Sequence, residues 1–146
     1  MSISVRAIQL QDCDALYELV CQANEQPPDK QLFSTFFEGG LHSTTHKIAL
    51  ITKDDALIGW GELEVGYTLS SGGLVGTMTE LYIAPPFRGK GAGSALLIYL
   101  ANAAKKMGCR QLLANCSKVN VRSRSFLERN GFVLSKAQFS FRLHRT

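Results

Sequence analysis

With 146 residues, 45% of them hydrophobic, the chain has the size of one domain and enough apolar side chains for a single core, which excludes wholesale disorder. No apolar run reaches the roughly 18 residues needed to cross a bilayer, and the first twenty residues, with Arg6 followed by Asp12, Asp14 and Glu18, read as neither a signal nor a transit peptide. The net charge of +4 is unevenly spread: residues 1–80 hold 4 basic and 11 acidic side chains, residues 81–146 hold 12 basic and 1 acidic, so the second half calls for a polyanionic partner, either nucleic acid or a phosphate-rich small molecule.

In chain order, Ile3–Ile8 reads as a first strand. Asp12 or Asp14 can cap a helix whose apolar residues Leu16, Leu19, Val20 and Ala23 follow helical spacing. Pro27-Pro28 ends it, and Gln31–Glu38 reads as a shorter second helix stopping before Gly39-Gly40. Lys47–Thr52 is a strand followed by an Asp54-Asp55 turn. Ala56–Leu69 and Leu74–Ala84 then form a long hairpin. After Pro85-Pro86 comes Arg88-Gly-Lys-Gly-Ala-Gly-Ser94, opening a helix with Leu96, Leu97, Leu100, Ala103, Ala104 and Met107 on one face. Gln111–Cys116 reads as a strand, Asn120–Asn130 as a helix closed by Gly131, and Phe132–Lys136 and Phe139–His144 as final strands. The fold class expected is a mixed α/β domain spanning 1–146, a twisted mixed sheet flanked by helices. The four cysteines, Cys13, Cys21, Cys109 and Cys116, form no C-x-x-C, which predicts reduced thiols in a cytoplasmic protein.

The glycine run is the segment richest in chemistry. A loop that follows a strand and opens a helix presents unpaired backbone N–H groups in one direction, and the helix N-terminus favours negative charge. Arg88 and Lys90 add mobile positive charge, so Arg88, Gly89, Lys90, Gly91, Ala92, Gly93 and Ser94 are expected to hold a phosphate. No Walker loop is present, and a dinucleotide fingerprint fails because Ser94 stands at the third glycine position and no acid follows about 20 residues on.

The spacing Arg88-x-x-Gly91-x-Gly93 resembles the R/Q-x-x-G-x-G/A signature of the GNAT superfamily of N-acetyltransferases. YIAPPFRGKGAG upstream of the helix and Asn120 followed by Phe126-Leu-Glu-Arg-Asn-Gly-Phe132 resemble two further family segments. The resemblance implies acetyl-CoA as cofactor and acetyl transfer to a primary amine. Backbone groups of Leu81, Tyr82 and Ile83 would then face the acetyl and pantetheine part, with Asn120 and Arg129 also on the cofactor. Glu80 is the expected base, because alternation puts Met78, Glu80 and Tyr82 on one face of the strand entering the glycine loop. Trp60, Glu62 and Glu64 share a face of the neighbouring strand and are expected to meet the substrate. A backbone N–H near Tyr82 would stabilise developing negative charge. One departure stands out: where the family places a tyrosine that protonates the leaving thiolate, this chain has Leu127, leaving Tyr82, Cys116 or Ser125 for that role.

GTMTELYIAPPFRGKGAG and FSFRLHR also resemble small-molecule enzymes such as the aminoalkylphosphonate N-acetyltransferases. The expected partner is therefore a small-molecule amine, with no nucleic acid, no membrane and no metal, in a monomer or homodimer. The alternatives are a protein or peptide acetyltransferase with the same cofactor site, and a non-catalytic coenzyme-A-binding module. His42 and His46 are four residues apart, but Ser43-Thr44-Thr45 between them is a poor helix core for a metal pair.

Overall fold

The computed structural model describes residues 2–115, 121–135 and 138–143. Cα proximity divides the chain into two compact units, Met1–Asn115 and Cys116–Thr146. The first unit holds a five-stranded sheet in the order β1 (Ile3–Ala7), β2 (His46–Lys53), β3 (Ala56–Gly66), β4 (Leu74–Ile83), β5 (Cys109–Ala114). Pairings are antiparallel up to β3–β4 and parallel for β4–β5. Local chemistry explains the order. Asp54 and Asp55 both take positive φ, 50° and 68°, the geometry of a two-residue turn that follows strand twist. The parallel pair is reached by crossing over through α3 (Ala92–Lys106).

One face of the sheet packs on α1 (Cys13–Ala23) and α2 (Lys30–His42) through Leu16, Leu19, Phe37, Ile48, Leu50 and Trp60. The other receives α3, whose Leu96, Leu97, Leu100 and Ala104 are buried. α3 can lie close because Gly61 has no side chain: a Cβ there would stand 2.7 Å from Leu100 Cδ1. α2 runs through Gly39-Gly40 to His42 instead of stopping at Glu38. A Cβ on Gly40 would sit 2.6 Å from Ile48 Cδ1, so glycine serves close helix–sheet packing there, and packing outweighs its poor helix propensity.

The cap of α1 also differs from expectation. Asp12 precedes the helix without a side-chain cap bond; its carboxylate takes both Arg6 guanidinium nitrogens, at 2.7 and 2.9 Å, and the Gln9 N–H. The Arg6 hydrogen bond holds the Asp12 carboxyl below the ordinary carboxylate range, against the opposing effect of burial.

Two irregularities set which residues share a face. On β3, Ile58 is an extra residue between the pairs Thr52↔Leu57 and Ile51↔Gly59. On β4, Thr79 is extra between Leu63↔Met78 and Glu62↔Glu80. Because directly opposed residues share a face, Met78 lies with Leu63 on the α3 side and is buried, not beside Glu80 as alternation alone predicts. A bulge breaks the period-2 rule at its own position.

In the second unit, α4 spans Val121–Arg129 and closes at Gly131, φ 90°, where Asn130 Nδ2 donates to the Phe126 carbonyl at 2.8 Å. The described residues of the two expected final strands, 132–135 and 139–143, carry no strand pairing among the described residues. Alternating apolar residues give a strand its pattern, but only a partner for its backbone makes it one. Among the described residues, no helix is long and apolar enough to cross a membrane.

Candidate active site

The α1–α2 face of the sheet gathers polar side chains where β2, β3 and β4 run side by side. Trp60 is opposite Tyr82 and Glu62 is opposite Glu80, so all four share that face. The indole Nε1–H of Trp60 donates to Glu80 Oε1 at 2.9 Å. The Trp60 and Tyr82 rings lie with centroids 4.9 Å apart. His46 is opposite Glu64, and its Nε2 lies 3.0 Å from Glu62 Oε1. Burial above all, then the neighbouring Glu80 carboxylate, pushes Glu62 up to about 8, with the Trp60 N–H pulling the other way.

β4 leaves β5 in the middle of its course. The parallel ladder ends at Met78↔Ala114, with Asn115 N–H reaching the Met78 carbonyl at 3.5 Å, while β4 continues through Thr79–Ile83. On that edge, the backbone of Leu81, Tyr82 and Ile83 has no strand partner among the described residues. It could therefore meet a ligand laid between the strands. Leu81 turns its side chain toward α3, while Tyr82 shares the Trp60 face.

Directly after β4, a tight 3-10 turn at Pro85–Phe87 leads to the glycine loop. Gly89 and Gly91 adopt φ of 76° and 88°, and a Cβ on either would meet nothing within 4 Å. Both are left-handed positions facing open space, where glycine serves backbone geometry. Gly91 is the N-cap of α3 and offers no side-chain cap. The N–H groups of Ala92, Gly93 and Ser94 have no acceptor among the described residues. Such a cradle of free amides suits a pyrophosphate. Arg88 is more constrained than a free phosphate arm: its Nε donates to the Ile83 carbonyl at 2.7 Å and its guanidinium lies 5.3 Å over the Tyr82 ring. Lys90 is exposed beside it.

The expected residues Trp60, Glu62, Glu64, Glu80 and Tyr82 thus meet on one face, and Arg88–Ser94 follow at the end of β4. Asn120 and Cys116 lie outside the described residues. Arg129 and Ser125 belong to α4 of the second unit, where Arg124 and Glu128 stand 3.9 Å apart. His46 joins the cluster unannounced, having been weighed in the sequence only as half of a metal pair. Its signal lay in strand register, which the extra Ile58 shifts by one residue.

A sheet splayed along its fourth strand, ending in an amide cradle at a helix N-terminus with a carboxylate upstream, defines an acyl-transfer fold of the acetyltransferase class. The sequence model of the acetyltransferase (GNAT) family matches residues 13–132, and the chain belongs to that family. It is an acetyl-CoA-dependent N-acetyltransferase of GNAT type. The chain is 25% identical over 138 residues to aminoalkylphosphonate N-acetyltransferase of Salmonella typhimurium, covering 93% of this chain and 88% of that protein. Its fold is similar to that of aminoglycoside N-acetyltransferase AAC(6')-Iy in complex with CoA, with TM-score 0.86 and 18% identity over 97% of this chain and 94% of that one. It is also similar to a ribosomal-protein-alanine N-acetyltransferase from Brucella melitensis, with TM-score 0.80 and 18% identity over 98% and 100% of the two chains.

Proposed function

We propose that the chain, acting as one domain over residues 1–146, acetylates a primary amine of a small molecule, with Glu80 as the base. The observation carrying this reading is the Glu80 carboxylate, fixed through Oε1 by the Trp60 N–H on the strand that leads into the amide cradle. When bound, acetyl-CoA supplies a thioester carbonyl open to attack by a neutral amine. Backbone groups of Leu81, Tyr82 and Ile83 would hold its acetyl and pantetheine part, and Arg88–Ser94 its pyrophosphate; Asn120 and Arg129 are assigned to it by family resemblance.

An alkylammonium with an ordinary pKa near 10.4 costs about 4–5 kcal/mol to deprotonate at pH 7. With Oε1 committed to Trp60, Oε2 of Glu80 is the oxygen that accepts this proton. Tyr82, half-buried against the ring of the buried Trp60, gives the acceptor's carbon skeleton an apolar wall. Glu64 and Glu80 share the Tyr82 face, which favours an acceptor carrying positive charge. We place this chemistry in the cytoplasm; its support is that Cys13, Cys21 and Cys109 are free thiols.

The test is thermal unfolding with and without acetyl-CoA, together with thiol release across 2-aminoethylphosphonate, putrescine, an aminoglycoside and an alanine-terminated peptide. A rise in midpoint with thiol release for one of the small amines supports the reading. Turnover of the peptide alone moves the chain to protein acetylation, and a rise with no turnover for any acceptor favours a binding module. No rise at saturating cofactor sinks the proposal.

A further inference from the structure

We propose that His46 is a positioning residue of the acetyl-transfer reaction, holding Glu62 by a hydrogen bond and carrying the acceptor's proton from the Glu62–Glu80 pair to solvent. The inference rests on Glu80 being the base. Glu80 is exposed in the ligand-free chain, but an acceptor seated on its free oxygen would cover that route, so a proton received there during turnover passes to the carboxyl opposite. Glu62 is directly opposite on β3, and His46 Nε2 is 3.0 Å from Glu62 Oε1. The His46 and Glu62 side chains are 28% and 22% exposed. The imidazole is thus sheltered enough to stay oriented and open enough to meet water.

The groups facing Glu62 are Glu80 from β4, Glu64 from β3 and His46 from β2. α1 and α2 bring Leu16, Leu19 and Phe37 to this face. No lysine or arginine among the described residues pairs with Glu62. Burial raises Glu62 to about 8, so it holds a proton at neutral pH, while the Glu80 carboxylate accepts the Trp60 N–H. The ammonium N–H bond then breaks, leaving its electron pair on nitrogen, and the proton joins Glu80. Glu62 takes that proton as it gives its own to His46 Nε2, and the imidazolium releases one from Nδ1 to water. Each side chain ends with the number of protons it began with and one proton has reached solvent; His46, left as the Nε2–H tautomer, returns to Nδ1–H by exchange with water before the next turnover. The relay requires neutral His46 to be the Nδ1–H tautomer, with Nε2 accepting from Glu62.

The tautomer can be read in the ligand-free wild-type protein from ¹⁵N shifts of the ring at pH 7. Nδ1–H is expected, and an Nε2–H tautomer overturns the proposal. In turnover assays with the fastest amine of the panel above, His46→Gln is expected to lower kcat about 10-fold with KM unchanged, and imidazole in the buffer to restore His46→Ala. Wild-type kcat and pH profile in His46→Gln, or a slow His46→Ala that imidazole does not rescue, overturns it. Glu80→Gln separates the two readings. If that variant turns over like wild type, the base assignment fails and this inference with it. If it is inactive while His46→Gln is unimpaired, only the inference fails.

Discussion

The indole N–H of Trp60 meets Oε1 of Glu80 at 2.9 Å, joining a buried β3 residue to an exposed one on β4. The two are diagonal neighbours, since Trp60 is opposite Tyr82 and Glu80 is opposite Glu62. Trp60→Phe keeps a ring against Tyr82 but deletes the donor. It is expected to lower kcat about 10-fold with KM little changed. Steady-state kinetics with a fixed amine checks this; an unchanged kcat would mean the carboxylate needs no fixing.

Glu62 predicts how stability varies with pH. Its carboxyl is raised from 4.5 to about 8 in the fold, so the folded protein binds more protons than the unfolded chain between those values. Stability associated with Glu62 is therefore fully present below about 4.5 and is lost as pH rises through about 8. Glu62→Gln should flatten this slope and be the more stable form at pH 9. Urea unfolding of both proteins at pH 5, 7 and 9 measures it.

The glycine loop predicts a separation of binding from folding. Gly89→Ala and Gly91→Ala meet no neighbouring atom but impose a left-handed φ on alanine, costing about 1–2 kcal/mol each. The added methyl projects into open space beside the amide cradle. The midpoint without ligand should drop modestly, while the rise produced by coenzyme A should shrink or vanish. A full coenzyme A response in both variants would place the phosphates elsewhere.

Gly59 makes the opposite prediction. A Cβ there runs into the backbone carbonyl oxygen of Tyr82, with Ile83 Cδ1 2.8 Å away. A backbone atom in a paired strand yields less readily than a side-chain tip, so Gly59→Ala should destabilise by about 1–3 kcal/mol and displace the site end of β4. Gly61→Ala is expected to be milder, because its neighbours are the side chains of Leu100, Leu81 and Leu96. Comparing urea midpoints of the two variants tests the ranking.

The sequence by itself determined the elements and the cradle. Apolar spacing in 96–107, the Asp54-Asp55 turn and the glycine run after Pro85-Pro86 each report a local preference, and the structure has a helix, a turn and a left-handed loop at those places. Glycines at φ 76° and 88° are legible because only local backbone geometry is at stake. The start of α1, the end of α2 and the segments after Gly131 were less legible, because each depends on a distant partner: Arg6 for Asp12, Ile48 for Gly40, and a neighbouring backbone for any strand.

Tertiary structure alone decided the assembly of carboxylates. Counted from the loop joining β3 and β4, unbroken alternation would put Glu80 opposite Gly61, on the α3 side of the sheet. The extra Thr79 moves it to the face of Trp60 and Glu62. Counted from the Asp54-Asp55 turn, His46 would oppose Leu63, and the extra Ile58 moves it opposite Glu64 and within reach of Glu62. A shift of one residue turns every later side chain to the other face. Bulges arise where packing on both faces of a twisted sheet is reconciled, so no short stretch of sequence announces them.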